Sequence, residues 1–128
     1  MKNTYIIGEI GQNHNGSVDL AKLIIELISR PVHEDVFGMD FMPMNAVKMT
    51  KRDLSEELAV SQMNQIYDNP NSFGRTYGEH RAFLELDDQA HFEIYKYAKS
   101  LGLDFIETLC AKGCLSLLKL FTPDRLKV

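Results

Sequence analysis

An α/β fold on a parallel sheet is what this sequence predicts, and three observations predict it. Short apolar runs at residues 4–10, 45–50, 103–109 and 125–128 alternate with helical patterns at 18–29, 88–101 and 112–120. Runs of this kind end in polar residues followed by turn chemistry, as strands do where α/β proteins build their sites. The chain is 128 residues long and 45% hydrophobic, enough to bury one core. The order is therefore β-α-β-(long loop, α)-β-α-β, an alternation that implies parallel strands joined by right-handed crossovers.

Each element has its own warrant. Residues 4–10 condense into β-branched and aromatic types that suit a buried strand. Ser17 is a good N-cap, Asp19 sits where the helix dipole favours an anion, and Pro31 stops the helix. Leu20, Leu23, Ile24, Leu27 and Ile28 share one face of 18–29, as a helix packed on a sheet requires. Residues 31–44, with Gly38 and Pro43, read as an irregular connection. The strand 45–50 then delivers Lys48 and Thr50. Residues 51–80 read as a long excursion with short helical pieces at most, its 68–74 stretch being turn chemistry. Asp87 or Asp88 caps the helix 88–101, Phe92, Tyr95 and Ala98 line its inner face, and Gly102 ends it. A helix over 112–120 carries Leu115, Leu118 and Leu120, and Arg125–Val128 begins a fourth strand. Four parallel strands leave two open edges, so the chain is either a small doubly wound domain or half of something larger.

Composition excludes several classes of function. A net charge of −4 lacks the basic stripe of a nucleic-acid footprint. No apolar run approaches the ~20 residues that span a bilayer, and Met1–Tyr5 leads into a strand without a signal-peptide layout. A soluble, cytoplasmic protein is the expectation. Cys110 and Cys114 lack the second pair that a zinc site needs, and read as reduced thiols.

The chemistry concentrates at strand ends. Glu9 closes an apolar run, where an unpaired carboxylate would be costly, so it needs a partner. The array Gln12-Asn13-His14-Asn15 follows at once, bounded by Gly11 and Gly16. Lys48, Thr108 and Lys127 end the other strands. Parallel strands converge on one rim, where such folds bind ligands. Two lysines, a hydroxyl and polar amides suit a ligand bearing phosphate or carboxylate, with one carboxylate available for acid–base work. Arg75, His80 and Arg81 form either a solvated face or an anion clamp.

Ile7-Gly8-Glu9-Ile10-Gly11-Gln12-Asn13-His14-Asn15-Gly16, followed by Asn45-Ala46-Val47-Lys48, resembles the start of the sialic acid synthase family. Those enzymes condense phosphoenolpyruvate with an N-acylated mannosamine-type sugar, giving nine-carbon ulosonic acids. The resemblance implies a partial (β/α)8 barrel, its first four strands with their helices, since a whole barrel takes about 250 residues. Residues 1–128 would then be the N-terminal half of the catalytic barrel, without the second half and the antifreeze-like domain. It also implies Glu9, Lys48, Thr108 and Lys127 as catalytic residues, with Lys48, Thr108 and Lys127 around phosphoenolpyruvate and Glu9 at the sugar. Asn13, His14, Asn15, Thr50, Asn71 and Arg75 are the implied substrate-binding set, with the loop near Asn69 or Asn71 facing the sugar.

The departures are specific. Thr50 stands where the family often has glutamine, and Glu107-Thr108-Leu109-Cys110 replaces Ser-Thr-Pro-Phe. Residues 33–44 and 69–81 also differ, consistent with another sugar. The divalent metal of the intact enzyme, manganese or magnesium, would be held by two histidines outside this chain, His14 not among them. A non-catalytic binding or assembly half is the alternative function, and a small phosphate-binding α/β domain unrelated to the family is a third. Open edges on strands 1 and 4 point to self-association.

Overall fold

The computed structural model describes residues 4–128; Met1, Lys2 and Asn3, part of the stretch read against a signal peptide, lie outside them. Strand β1 (Ile7–Gly11) leads into α1 (Val18–Ile28), whose N-terminus is capped by Ser17 accepting the Leu20 N–H. A hairpin of β2 (Val32–Glu34) and β3 (Met39–Phe41) precedes β4 (Ala46–Lys51). Three helices follow, α2 (Leu54–Glu57), α3 (Val60–Met63) and α4 (Tyr77–Leu84), and then the long α5 (Asp88–Ser100). Strand β5 (Asp104–Leu109), a 3-10 helix at Lys112–Lys119 and β6 (Arg125–Lys127) complete the described chain.

The main sheet has four strands in the order β1-β4-β5-β6, all parallel. Each new strand of this sheet joins the same side as the chain advances, with no reversal. A doubly wound sheet would reverse at a switch point. Residues on one face of the strands, Ile10, Val47, Met49 and Phe105, pack with Ala21 and Ile25 of α1, Ile94 and Ala98 of α5, and Leu117. The core is thus one layer of helices on one face of the sheet. Side chains alternate along a strand, so Glu9, Lys48, Thr50, Ile106 and Thr108 look the other way.

Four expectations are corrected. Residues 31–44 are not irregular: Val32 pairs with Phe41 and Glu34 with Met39 across an antiparallel hairpin. Its turn is held by the Glu34 carboxylate, which accepts the N–H groups of Val36 and Phe37. The excursion read over 51–80 ends in a regular helix, Tyr77–Leu84, so His80 and Arg81 lie on α4. Thr76 and Glu79 form its capping box, and Gly78 is tolerated because a side chain there would strike Met63. The buried line of α5 is His91, Ile94 and Ala98, with Phe92 and Tyr95 flanking it and stacked near Phe121. The segment 112–119 is a 3-10 helix, whose three-residue repeat buries Cys114 and Leu117 and leaves Leu115 exposed.

Other signals translate directly. Gly102 adopts φ +79° after α5, and the Leu103 and Gly102 N–H groups reach the Ala98 and Lys99 carbonyls, a Schellman closure. Among the described residues no helix is long and apolar enough to cross a membrane. Both cysteines are free thiols.

Phe105 is fully buried and meets Tyr95 and Phe121 edge-on, with ring centroids 5.6 and 5.8 Å away. Phe105→Ala is expected to cost about 3–5 kcal/mol. Denaturant titration should show this as a lower midpoint with unchanged slope.

Candidate active site at the strand ends

Strand register assembles the site. Glu9 stands beside Lys48 across the β1–β4 pair, and the register shifts immediately afterwards, so that Gly11 faces Met49. The irregularity at Ile10 is a bulge, a common device for aiming side chains beside a site. One row of the open face reads Glu9, Lys48, Ile106, Arg125. The row above it, toward the C-terminal rim, reads Thr50, Thr108, Lys127. Glu9, Lys48, Thr50, Thr108 and Lys127 therefore share one surface, as the strand-end argument requires.

The electrostatics of that surface are explicit. Lys48 is only 7% exposed, and its Nζ donates to Glu9 Oε2 at 2.6 Å. The Glu9 carboxylate is half-exposed, so the pair has one buried and one wet member. Thr108 Oγ1 is buried without a hydrogen-bond partner. Lys127 is exposed at the end of β6. An ammonium, a free hydroxyl and a second ammonium in this arrangement can hold an oxyanion, and Glu9 can accept from a hydroxyl.

The loop after β1 behaves differently from a continuous polar array. Asn13 folds back, its Nδ2 donating to the Ile10 carbonyl at 2.9 Å, and Gln12 donates to Glu85 at 2.5 Å. Asn15 takes φ +49°, a left-handed conformation that asparagine tolerates. Gly16 must be glycine, because a Cβ there would lie 2.3 Å from the Phe83 carbonyl oxygen. His14 points inward at 1% exposure, and its Nδ1 accepts the Gly16 N–H. Asn13 and Asn15 stay exposed beside the rim, while His14 anchors the loop from within.

Asn71 and Arg75 belong to a second region. Arg75 lines a cavity of about 570 Å³ with Tyr67, Asn69, Ser72 and Glu79, and no residue of that lining belongs to the Lys48 rows. Asn71 is exposed, its N–H held by Asn69 Oδ1.

Two groupings were not read from the sequence. Glu107, fully buried on the helix side of β5, lies 3.2 Å from His91 Nδ1 of α5. Burial pushes its carboxyl up, against the pull of His91, Lys48 and Lys51. The signal was present in the alternation, since Glu107 shares the buried face with Phe105. Glu85 is the second: burial raises its carboxyl, while Lys51, Arg81 and Arg52 pull it down. Burial likewise raises both the Cys110 and Cys114 thiols, so neither is an activated nucleophile.

No protein-family model matches the chain. It is 30% identical over 125 residues to an N-acetylneuraminate-9-phosphate synthase of Drosophila melanogaster, a match covering 97% of this chain and 30% of that protein. It is 33% identical over 108 residues to an N,N'-diacetyllegionaminic acid synthase of Campylobacter jejuni, covering 84% of this chain and 29% of that one. The chain belongs to the sialic acid synthase family over the residues it spans. A crystal structure of the N-acetylneuraminic acid synthetase of Leptospira borgpetersenii, in complex with citrate, superposes with a TM-score of 0.62. That alignment covers 99% of this chain and 36% of the other at 19% identity, a likeness of fold. The chain thus spans under a third of the length of both sequence relatives.

His14 makes the site's loop sensitive to acid. Burial first, and the neighbouring His91 second, push its imidazole down to about 4. The unfolded chain takes up this proton near pH 6.5. Between those values only the unfolded state binds the proton, so stability is present above pH 6.5 and lost as pH falls toward 4. The loss should reach about 3 kcal/mol. Unfolding of wild type and His14→Gln across pH 4–7 should give curves that converge at low pH, and parallel curves would refute the assignment.

Proposed function

We propose that this chain forms the first four strands of a (β/α)8 barrel. The whole enzyme would condense phosphoenolpyruvate with an N-acylmannosamine-type sugar to a nine-carbon ulosonic acid. The observation that carries the reading is the register of Lys48 beside Glu9 and of Thr50, Thr108 and Lys127 in the adjoining row. The unreversed strand order supports the barrel, because consecutive parallel neighbours are how a barrel is laid down.

In this reading C3 of phosphoenolpyruvate attacks the open-chain aldehyde carbon of the sugar, and water adds at C2. The resulting tetrahedral intermediate expels phosphate by C–O cleavage. Lys48 and Lys127 hold the anionic groups and stabilise the charge that develops on them. The free Thr108 hydroxyl donates to a carboxylate or phosphate oxygen, and Thr50 lies next to it in the same row. Glu9, hydrogen-bonded to Lys48, accepts from a sugar hydroxyl or takes a proton. Asn13 and Asn15 border the sugar from the β1 loop, whereas Asn71 and Arg75, in a separate region, are assigned to it by the family resemblance alone. A divalent metal, manganese or magnesium, supplies Lewis-acid polarisation in the whole enzyme. The described residues contain no grouping of three histidine, cysteine or acidic side chains fit to hold it. Its ligands would be two histidines outside these residues.

That ligand set favours a second reading for the 128 residues by themselves, a binding half without turnover. Incubated with phosphoenolpyruvate, Mn²⁺ and N-acetylmannosamine, the chain alone is expected to release no phosphate. In the whole enzyme Lys48→Ala should lose a charge-assisted contact of roughly 1.5–3 kcal/mol, or about one to two decades in rate. Wild-type kcat and KM in that variant would remove Lys48 from the mechanism.

The sheet edges carry a further expectation. β1 and β6 each pair on one side only, and open edges template pairing with another chain. Sedimentation at micromolar concentration should show self-association; a monomer with strongly protected β1 and β6 amides would exclude it.

A further inference from the structure

The hairpin of β2 and β3 carries the densest exposed apolar group of the described chain. Val32, Met39 and Phe41 are about half exposed, and Val36 and Phe37 at its turn are 80% exposed. None of the five belongs to the buried core or packs against it. The Met44 N–H donates to the Ile28 carbonyl and the Asn45 N–H to the Ile6 carbonyl, so the hairpin springs from the N-terminal end of the sheet. It lies at the opposite end of the strands from the rim that carries Thr108 and Lys127.

Register gives the hairpin two different faces. Val32 stands opposite Phe41 and Glu34 opposite Met39, so these side chains share one face, while His33 and Asp40 stand opposite each other on the other. The polar face meets its own needs: the His33 ring lies 2.6 Å from Asp40 and 3.5 Å from Asp35. The Glu34 carboxylate is drawn into the turn, where it accepts the Val36 and Phe37 N–H groups at 2.7 and 2.9 Å. Val32, Met39 and Phe41 are left to form the second face, with Val36 and Phe37 held at its tip. A lone two-stranded hairpin is marginal in water, and an exposed apolar face of this kind marks a contact surface.

Area and charge select what covers it. The exposed surface of the five apolar residues is on the order of 600 Å², so two copies packed face to face bury about 1,200 Å², the lower end of specific interfaces. The Asp35 side chain at the tip is 96% exposed, and that of Arg30 at the base is 64% exposed. A two-fold axis perpendicular to the hairpin lays the tip of one copy over the base of the other and sets Asp35 against Arg30 twice. An anionic membrane surface is disfavoured, because residues 31–42 hold Glu34, Asp35 and Asp40 and no lysine or arginine.

We propose that the apolar face of the Val32–Phe41 hairpin is a docking surface for a second copy of this chain, seated antiparallel about a two-fold axis. This surface is distinct from the open edges of β1 and β6 and does not rest on the proposed condensation.

Sedimentation of the chain at micromolar concentration tests it. Phe37→Ser removes an exposed anchor, leaves the core untouched and should weaken self-association about ten-fold or more. Arg30→Asp and Asp35→Arg should each weaken it, and the two together should restore it, because the charge pair is re-formed with its signs exchanged. Edge pairing through β1 and β6 would leave every one of these variants associating like wild type, and that result overturns the hairpin as the interface. A wild type that stays monomeric, or that floats with phosphatidylserine vesicles instead of pairing, overturns it equally. Failure of the double variant to recover overturns the antiparallel seating.

Discussion

A nearly buried ammonium in the middle of a parallel sheet is the constraint on which the rest of this structure depends. Lys48 lies between Val47 and Met49, both fully buried, on a strand hydrogen-bonded on both sides. An ion placed there without compensation would cost several kcal/mol. Glu9 supplies the compensation, and can do so in one register only. A one-residue slip of β1 would turn its carboxylate toward the helices and the apolar Ile10 outward. The ion pair and the core therefore demand the same alignment of β1 on β4. The bulge after Glu9 then lets the chain leave the sheet and form the 12–16 loop without disturbing that pair.

The same alternation explains how much could be read from the residues. The four main strands, α1 and α5 were legible because each combines a period with a cap: Ser17 for α1, Asp87 and Gly102 for α5. Glu9, Lys48, Thr108 and Lys127 were legible as strand-end residues, and the register brings them to one face. What escaped depends on weaker or non-local signals. Each hairpin strand has three residues, and Val32, Met39 and Phe41 are about half exposed, so burial imposes no visible pattern on them. α4 was hidden by Gly74 and Gly78, although Thr76 and Glu79 spell its capping box. His14 sat within a polar stretch, and nothing local distinguishes an inward histidine from an outward one. The Glu107–His91 contact joins residues sixteen apart through the packing of α5 on β5. Arg52 and Glu85 meet at the wall of one cavity only once Tyr77–Leu84 has folded as α4.

The two faces of the sheet divide the labour. On the helix side, aromatic packing among Tyr95, Phe105 and Phe121 and the aliphatic cluster around Ile25 and Ile94 hold the strands in place. On the open side the polar groups are held by few partners and remain available to a ligand. Thr108 shows the distinction well. Its neighbour Glu107 turns toward the helices with one carboxylate oxygen beside His91 and the other unpaired, while the Thr108 hydroxyl is left unpaired on the other side of the same strand.

Lys127 is the site residue with the least support from the backbone, since β6 has three residues and pairs with β5 alone. Side chains make up the difference at its base. The Asp124 carboxylate accepts the Phe105 N–H at 2.7 Å and is paired with Lys99 of α5. Arg125 reaches over the open face to Asp104 and to the Tyr5 hydroxyl, and its guanidinium stacks 4.7 Å from the Tyr5 ring centroid. Tyr5 precedes β1, at the far edge of the sheet, so this contact ties the two edge strands together across about three strand spacings, or ~14 Å. Single exposed ion pairs contribute little. Here two acids, two bases and a phenol converge on the entry to one short strand, and the N–H of a fully buried phenylalanine is among the groups they bind. The position of Lys127 at the rim is thus set in part from the opposite edge of the sheet, through Tyr5.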